Sequence, residues 1–283
     1  MIFERLGLSV CIKNSNGDEL PEYQVQETAD DTIQCWVPST PGVNFQLHWE
    51  VTDNPHPGRD LRTVPFLDGV QMRAKVTRKS VLANRFNGKH YKHQTGTSTA
   101  RLYEFGTRVL TDSDDCVKPD QLVLKSLNTI KLVFEWGRRG ESAPGSFSVP
   151  QEIGPIHEKA AKKSHSGAAK LGKTINVASP NTVYFTTSAT VKPIAFVFCY
   201  APEGWLRARG IIPRSPEPEP QGTQDAPKRE RSITPDIIDV DDLETDDDEV
   251  QIVKHMIPAT LTNNKRQRTE KYNSIGKTKA EED

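Results

Sequence analysis

Residues 32–51 read TIQCWVPSTPGVNFQLHWEV, and this stretch decides the fold class. Apolar side chains occupy every second position on both sides of a Ser-Thr-Pro-Gly turn cluster: Ile33, Cys35, Val37, Phe45, Leu47 and Trp49. A period of two is typical of β-strands that bury one face. The stretch therefore predicts a β-hairpin whose apolar face packs against other strands of the same chain.

Further short strands are predicted on either side of this hairpin. They lie at residues 8–12, 22–27, 61–67, 70–76, 100–104, 129–136 and 194–200, with weaker candidates at 174–177 and 183–187. Asp68-Gly69 is typical of a tight hairpin turn between two of them. The pattern predicts a mainly β fold, an antiparallel β-sandwich of jelly-roll or immunoglobulin-like type with one or two short helices.

The segments between these strands are interpreted by composition. Residues 84–99 are polar and predict a loop. Residues 137–173 predict a loop followed by a basic linker or a short exposed helix, since 156–171 is rich in Ala and Lys. Residues 203–209 predict one or two helical turns that end at Gly210. The predicted β domain spans residues 2–212.

A long charged tail follows at residues 213–283. It begins with PRSPEPEP and has a single aromatic residue, Tyr272. Such a segment buries too little apolar surface to offset the entropy of ordering, so disorder is predicted. Even with its 18 glycines counted, the whole chain stays below the roughly 45–50% apolar content of globular domains.

The expected location is the nucleus, or nucleus and cytoplasm, and not the secretory pathway. The sequence starts MIFER and leads directly into a strand pattern, which does not resemble a signal peptide. No apolar run reaches the roughly 18 residues of a membrane helix, so no membrane partner is expected. The four cysteines form no CxxC pair, which favours reduced thiols.

Four blocks of the chain carry a family resemblance: LGLSVCI, LPEYQVQ, TIQCWVPSTPGVNFQLHW and PIAFVFCYAPEGWLRARGIIP. They resemble a family of fungal, mainly basidiomycete, proteins whose N-terminal region is a β-rich domain of unknown function. The blocks lie at both ends of residues 6–213. The resemblance implies a β-rich domain followed by a variable charged tail, and it implies no catalytic residues.

No enzyme signature occurs in the sequence. The GxSxG, P-loop, HExxH and Rossmann glycine patterns are all missing. His90 and His93 have metal-ligand spacing, but Lys89 and Lys92 beside them repel a cation, and a solvated loop is the favoured interpretation. The cluster at Asp112 lacks the glycine and glutamate of a calcium loop. We therefore expect a non-enzymatic protein without a cofactor or a metal.

One stretch of the predicted domain is strongly basic. Residues 71–103 contain no Asp or Glu and eight cationic residues: Arg73, Lys75, Arg78, Lys79, Arg85, Lys89, Lys92 and Arg101. A surface of this charge could contact phosphates and release counterions. The stretch predicts a nucleic-acid or other polyanion site, and the alternative is a solvated surface balanced by acids elsewhere.

The tail holds two short aliphatic cores beside dense acidic residues. The first is Ile237, Ile238 and Val240 followed by Asp241 and Asp242; the second is Val250, Ile252 and Val253, preceded by acids. These patterns resemble the motif that binds the small ubiquitin-like modifier SUMO. A β-prone segment can add as a strand to an exposed sheet edge, while acids contact basic residues beside it. An acidic activation segment is the alternative.

A basic cluster near the end of the tail resembles a nuclear import signal. It consists of Lys265, Arg266 and Arg268. The leading hypothesis is therefore a nuclear, non-enzymatic adaptor that binds protein partners, SUMO or SUMO-modified proteins, through its tail. The second hypothesis is a polyanion-binding module that uses the basic stretch.

Overall fold

A computed structural model describes residues 1–3, 6–28, 31–83, 85–112, 121–143, 145, 147, 149–151, 153–157, 165–179 and 181–213. The described part of the chain is mainly β, with three short helices. The predicted disordered tail, from residue 214 onward, lies outside the described residues, and so do the aliphatic cores at 237–253 and the basic cluster at 265–268.

The first strands run in chain order as β1 (Ile2–Phe3), β2 (Leu8–Asn14), β3 (Tyr23–Thr28), β4 (Thr32–Pro38), β5 (Phe45–Val51), β6 (Asp60–Leu67), β7 (Val70–Gln71), β8 (Lys75–Thr77), β9 (Phe86–His90) and β10 (Lys92–Gln94). The later strands are β11 (Thr99–Thr107), β12 (Leu110–Thr111), β13 (Thr129–Ala143), β14 (Ile156–His157), β15 (Gly167–Asn176), β16 (Thr182–Thr187) and β17 (Ile194–Ala201). The helices are α1 (Lys79–Leu82), α2 (Gln121–Ser126) and α3 (Glu203–Ala208).

The largest sheet has eight strands. Its main path is β3-β4-β17-β13-β6-β7, with β16 paired to β13 and β8 paired to β6. All pairs are antiparallel except β17 with β4. Strand β17 lies in the middle of this path, which agrees with the continuous apolar run IAFVFCY that predicts a buried strand.

Two smaller antiparallel sheets, β1-β2-β5-β9 and β10-β11-β15, share one hydrophobic core with the large sheet. Trp49 of β5 meets Phe134 of β13 edge to face at 5.7 Å between ring centroids. Phe105 of β11 lies 5.4 Å from Tyr200 of β17. These contacts between layers confirm the predicted β-sandwich.

The predicted hairpin at residues 32–51 is wrong in its pairing. Both strands exist, but β4 pairs with β3 and β17, whereas β5 pairs with β2 and β9 in another sheet. The connection is anchored elsewhere: the Ser39 amide donates to the Ala201 carbonyl, and the Gly42 amide donates to the Phe105 carbonyl. The two apolar faces therefore enter the same core from different layers. Alternation defines which face is buried, but not which strand is the neighbour.

Two predicted loops contain strands instead. Residues 84–99 include β9 and β10, and the predicted loop and linker at 137–173 begins with the last residues of β13 and ends with most of β15. Strand β15 pairs along nearly its whole length with β11. Helix propensity of Ala and Lys is a weak preference, and this pairing overrides it.

Other local predictions are confirmed. Asp68 and Gly69 both have positive φ, 50° and 84°, and they join β6 to β7 as the predicted tight hairpin turn. Helix α3 forms at the predicted place, and Gly210, with a φ of 68°, follows it. In the described residues, no helix is long and apolar enough to cross a membrane. Cys11, Cys35 and Cys199 are free thiols.

The turn residue Asp68 is the centre of a buried polar cluster. Its carboxylate accepts hydrogen bonds from the Tyr200 hydroxyl at 2.7 Å and from the Arg108 guanidinium at 2.7 Å. The backbone amides of Ala169 and Thr129 donate to it at 3.1 Å and 3.2 Å. The side chains of Asp68 and Arg108 are 4% and 5% exposed. This cluster joins the turn to four segments that are distant in sequence.

Candidate polyanion-binding cleft

A cleft of about 870 Å³ is lined by residues of β8, β10 and β16 and of the segments beside them. One wall is formed by residues 71–78, which include β8, and by β10; the other wall is formed by Ala178 and residues 181–185. Six basic side chains line the cleft: Arg62, Arg73, Lys75, Arg78, Lys92 and Arg139. None of the lining residues is an Asp or a Glu.

Local sequence explains why cations collect on the first wall. Strand β8 has only three residues and pairs with β6 through Lys75, Val76 and Thr77. Short, charged strands are typical of sheet edges, where lysine discourages pairing with another chain. The edge therefore presents its basic side chains toward the space between the walls.

Arg73 connects the two walls. Its backbone amide donates to Nδ1 of His93 at 3.1 Å, and its guanidinium donates to the Thr182 hydroxyl at 2.6 Å. The guanidinium also lies 5.5 Å from the centroid of the Phe147 ring. Desolvation lowers the pKa of Arg73, whose side chain stays cationic. These contacts hold the side chain of Arg73 in place between the two walls.

Lys75 lies near other positively charged side chains, those of Lys92 and Lys89. Its ammonium donates to the backbone carbonyl of Lys89. Desolvation lowers the pKa of Lys75, and the charges of Lys92 and Lys89 lower it further. A nearby positive charge disfavours the protonated lysine, and a bound anion would favour it. An anion bound beside Lys75 would therefore favour its protonated form.

Among the cations of the cleft, Arg62 has a carboxylate partner. Arg62 donates to Glu135 at 2.5 Å and lies 5.0 Å from the centroid of the Phe185 ring. Within the described ranges, no ion pair with an acid is formed by Lys75, Arg78, Lys92 or Arg139. Cation excess in a recessed site concentrates positive potential there.

Half of the predicted polyanion-binding residues line the cleft, and half do not. The four that line it are Arg73, Lys75, Arg78 and Lys92, and the four outside it are Lys79, Arg85, Lys89 and Arg101. Arg85 forms an ion pair with Glu50 at 3.7 Å. Arg101 donates to two backbone carbonyls of β15 and so supports the pairing of β11 with that strand.

The sequence does not identify the two remaining cations of the cleft. Arg62 lies in a correctly predicted strand, and alternation with Leu61 could have placed it on the polar face. Arg139 lies in the segment predicted to be a loop. The pairing of β13 with β6 and β16 brings both arginines to the cleft. No local sequence pattern indicates this strand pairing.

The two histidines with metal-ligand spacing are buried, so the prediction of a solvated loop is wrong for them. His90 contacts the Thr63 hydroxyl through Nε2 at 2.8 Å, and His93 accepts the Arg73 amide. Burial, and secondarily the charge of Lys75, lowers the pKa of His90 to about 3. In the described part of the chain, no group of three or more His, Cys, Asp or Glu side chains could hold a metal ion.

Comparison with protein families gives one match. The profile of a family described as a domain of unknown function, DUF7918, matches residues 7–215. The chain belongs to this family. The DUF7918 region includes every element from β2 to α3, and so the whole basic cleft. No curated protein and no solved structure matches the chain.

Proposed function

We propose that the DUF7918 domain of this chain is a non-enzymatic binding module that takes a polyanion, such as a nucleic acid, into the basic cleft. The observation that carries this proposal is the cleft's lining of six cations without an acidic residue. Phosphate or sulfate groups would neutralise these charges and release condensed counterions, which favours association. Steering by the positive potential would also raise the association rate.

Salt dependence of binding tests the proposal. Since Arg62 is already paired with Glu135, we expect four or five phosphates to be neutralised, and log K for a single-stranded oligonucleotide should fall against log salt with a slope between about −3 and −3.5. We expect the full chain to be retained on heparin at low salt and to bind a fluorescent oligothymidylate with this slope in anisotropy titrations. No binding at low salt, or a slope near zero, would contradict the proposal.

A second proposed function concerns the tail and rests on its sequence. Ile237, Ile238 and Val240 beside Asp241 and Asp242 support binding of SUMO by strand addition. A second core at 250–253 would raise the avidity for a SUMO chain, because the second binding event is intramolecular. The basic cluster at 265–268 supports location in the nucleus, and the resemblance of the N-terminal blocks supports a fungal, basidiomycete-type origin.

Replacing Ile238 and Val240 together by Ala is expected to abolish binding of SUMO to the first core. The substitution removes the alternate side chains that would fill the groove while leaving the flanking acids in place. The measurement is an NMR titration of the labelled full chain with SUMO, with Leu261→Ala as an aliphatic control outside both cores. Unchanged affinity of the double variant would contradict the tail proposal and leave the cleft proposal untouched.

A further inference from the structure

The wall of the cleft that faces the cations carries an exposed aromatic ring. Tyr184 lies on β16 and is 62% exposed. It is the single aromatic residue among the large apolar side chains that are exposed in the described residues; the others are Ile2, Val25, Val81, Val109 and Val149. Leaving a ring of this size in water costs free energy that stacking against a flat partner recovers.

One cation of the facing wall is tied to the strand face that carries this ring, since residues two apart on a strand share a face. Thr182, two residues before Tyr184, accepts the hydrogen bond from Arg73. Phe185, the next residue, pairs with Arg139 of β13, on the opposite face of the strand. One side of the cleft therefore offers charged donors, and the other offers an exposed aromatic ring on the strand face that Arg73 contacts.

The combination of cations with an exposed aromatic ring favours one class of polyanion over the others. A polyphosphate presents charge without a flat face, and a sulfated sugar presents charge without an aromatic face. A nucleic-acid duplex presents phosphates but keeps the faces of its bases inside the stack. An unpaired strand presents both phosphates and accessible bases, and proteins that bind such strands combine a basic groove with aromatic stacking platforms.

We infer that the ligand of the cleft is a single-stranded nucleic acid, with its phosphates along the wall of Arg73, Lys75, Arg78 and Lys92 and a base stacked on Tyr184. The inference rests on the proposed polyanion-binding function and names its ligand class. Stacking accepts every base, so recognition is tolerant of sequence. The chemistry is shared by RNA and DNA.

Tyr184→Ala in the full chain tests the inference, with Tyr184→Phe as the matched control. Anisotropy titrations use four probes: an oligothymidylate and an oligouridylate of about 16 nucleotides, a duplex of the same length, and a heparin oligosaccharide. Tyr184→Ala should weaken binding of the single strands about 5- to 150-fold, the range that corresponds to the loss of one base stack. Tyr184→Phe should bind them as the unmodified chain does, and heparin affinity should change less than twofold. The probe that binds more tightly, the oligouridylate or the oligothymidylate, shows whether the cleft prefers RNA or DNA.

Two results overturn the inference. If Tyr184→Ala leaves the affinity for single strands unchanged, or weakens heparin as much as the oligonucleotides, no base stacks on this ring, and the polyanion function stands alone. If the unmodified chain binds none of the four probes, the polyanion function fails as well. Because Tyr184 is exposed, the melting temperature of Tyr184→Ala should equal that of the unmodified chain, which separates loss of binding from loss of fold.

Discussion

Asp68→Asn is expected to lower the free energy of unfolding by about 3–5 kcal/mol, the cost of breaking a buried ion pair by removing one partner. The substitution leaves the Arg108 guanidinium buried without its countercharge. It also places an amide NH₂ among groups that donate hydrogen bonds to the carboxylate: the Tyr200 hydroxyl and two backbone amides. Asn tolerates positive φ well, so the turn before Gly69 is preserved, and the loss of stability measures the ion pair and the hydrogen bonds of the carboxylate together.

Thermal unfolding measures this effect. For a domain of this size, a loss of that magnitude lowers Tm by roughly 6–20 °C. Asp18→Asn is the matched control because Asp18 lies in an exposed turn, where its carboxylate accepts a hydrogen bond from Asn14; it should change Tm little. Adding Arg108→Leu to Asp68→Asn should restore part of the lost stability, since the unpaired buried charge is removed. A loss below about 1 kcal/mol for Asp68→Asn would show that the cluster does not stabilise the sandwich.

Reversing two charges of the cleft, Arg78→Glu with Lys92→Glu, is expected to weaken polyanion binding about 100-fold. Each lost hydrogen bond between charged groups is worth roughly 1.5 kcal/mol, and about 3 kcal/mol corresponds to two decades of affinity. Neither residue forms an ion pair with a described acid, so the reversal breaks no salt bridge of the described fold. The measurement is an anisotropy titration of oligothymidylate at constant salt.

The matched control changes net charge by the same amount outside the cleft. Lys173 and Lys192 are exposed and do not line the cleft, so Lys173→Glu with Lys192→Glu should weaken binding only a few-fold through long-range electrostatics. Equal losses for the two double variants would mean that total charge, and not this cleft, governs binding. Equal melting temperatures would show that all the variants remain folded.

The sequence predicts the strands of this fold better than their partners. The apolar alternation of residues 32–51 marks both strands correctly, yet β4 and β5 join different sheets, because partner choice depends on residues as distant as β17. The Asp68-Gly69 hairpin is predicted correctly, since that turn is encoded by two adjacent residues. The sequence predicts only the end of strand β15, as the weak candidate at 174–177; residues 167–173 are assigned to a linker or helix because Ala and Lys favour a helix locally, and only the pairing with β11 selects a strand.

The residues of the candidate site also differ in whether local sequence or long-range strand pairing identifies them. Arg73, Lys75 and Arg78 are close in sequence, so a run of cations without acids is sufficient to identify them. Arg139 and Tyr184 enter the cleft through the long β13 and its partner β16, and neither stands out by composition. The local run of positive charge thus identifies the cations of one wall of the cleft. Tyr184 of the other wall is placed there by strand pairing between residues that are distant in sequence.

The salt dependence of oligothymidylate binding, compared between the unmodified chain and the Arg78→Glu, Lys92→Glu variant, tests the central claim most directly. Each phosphate contact contributes about 0.7 to the slope of log K against log salt for a single strand. If the strand lies in the cleft, the slope of the variant should be shallower by about 1.4 or more. Equal slopes for the two proteins would contradict the account, because the phosphates would then be bound elsewhere.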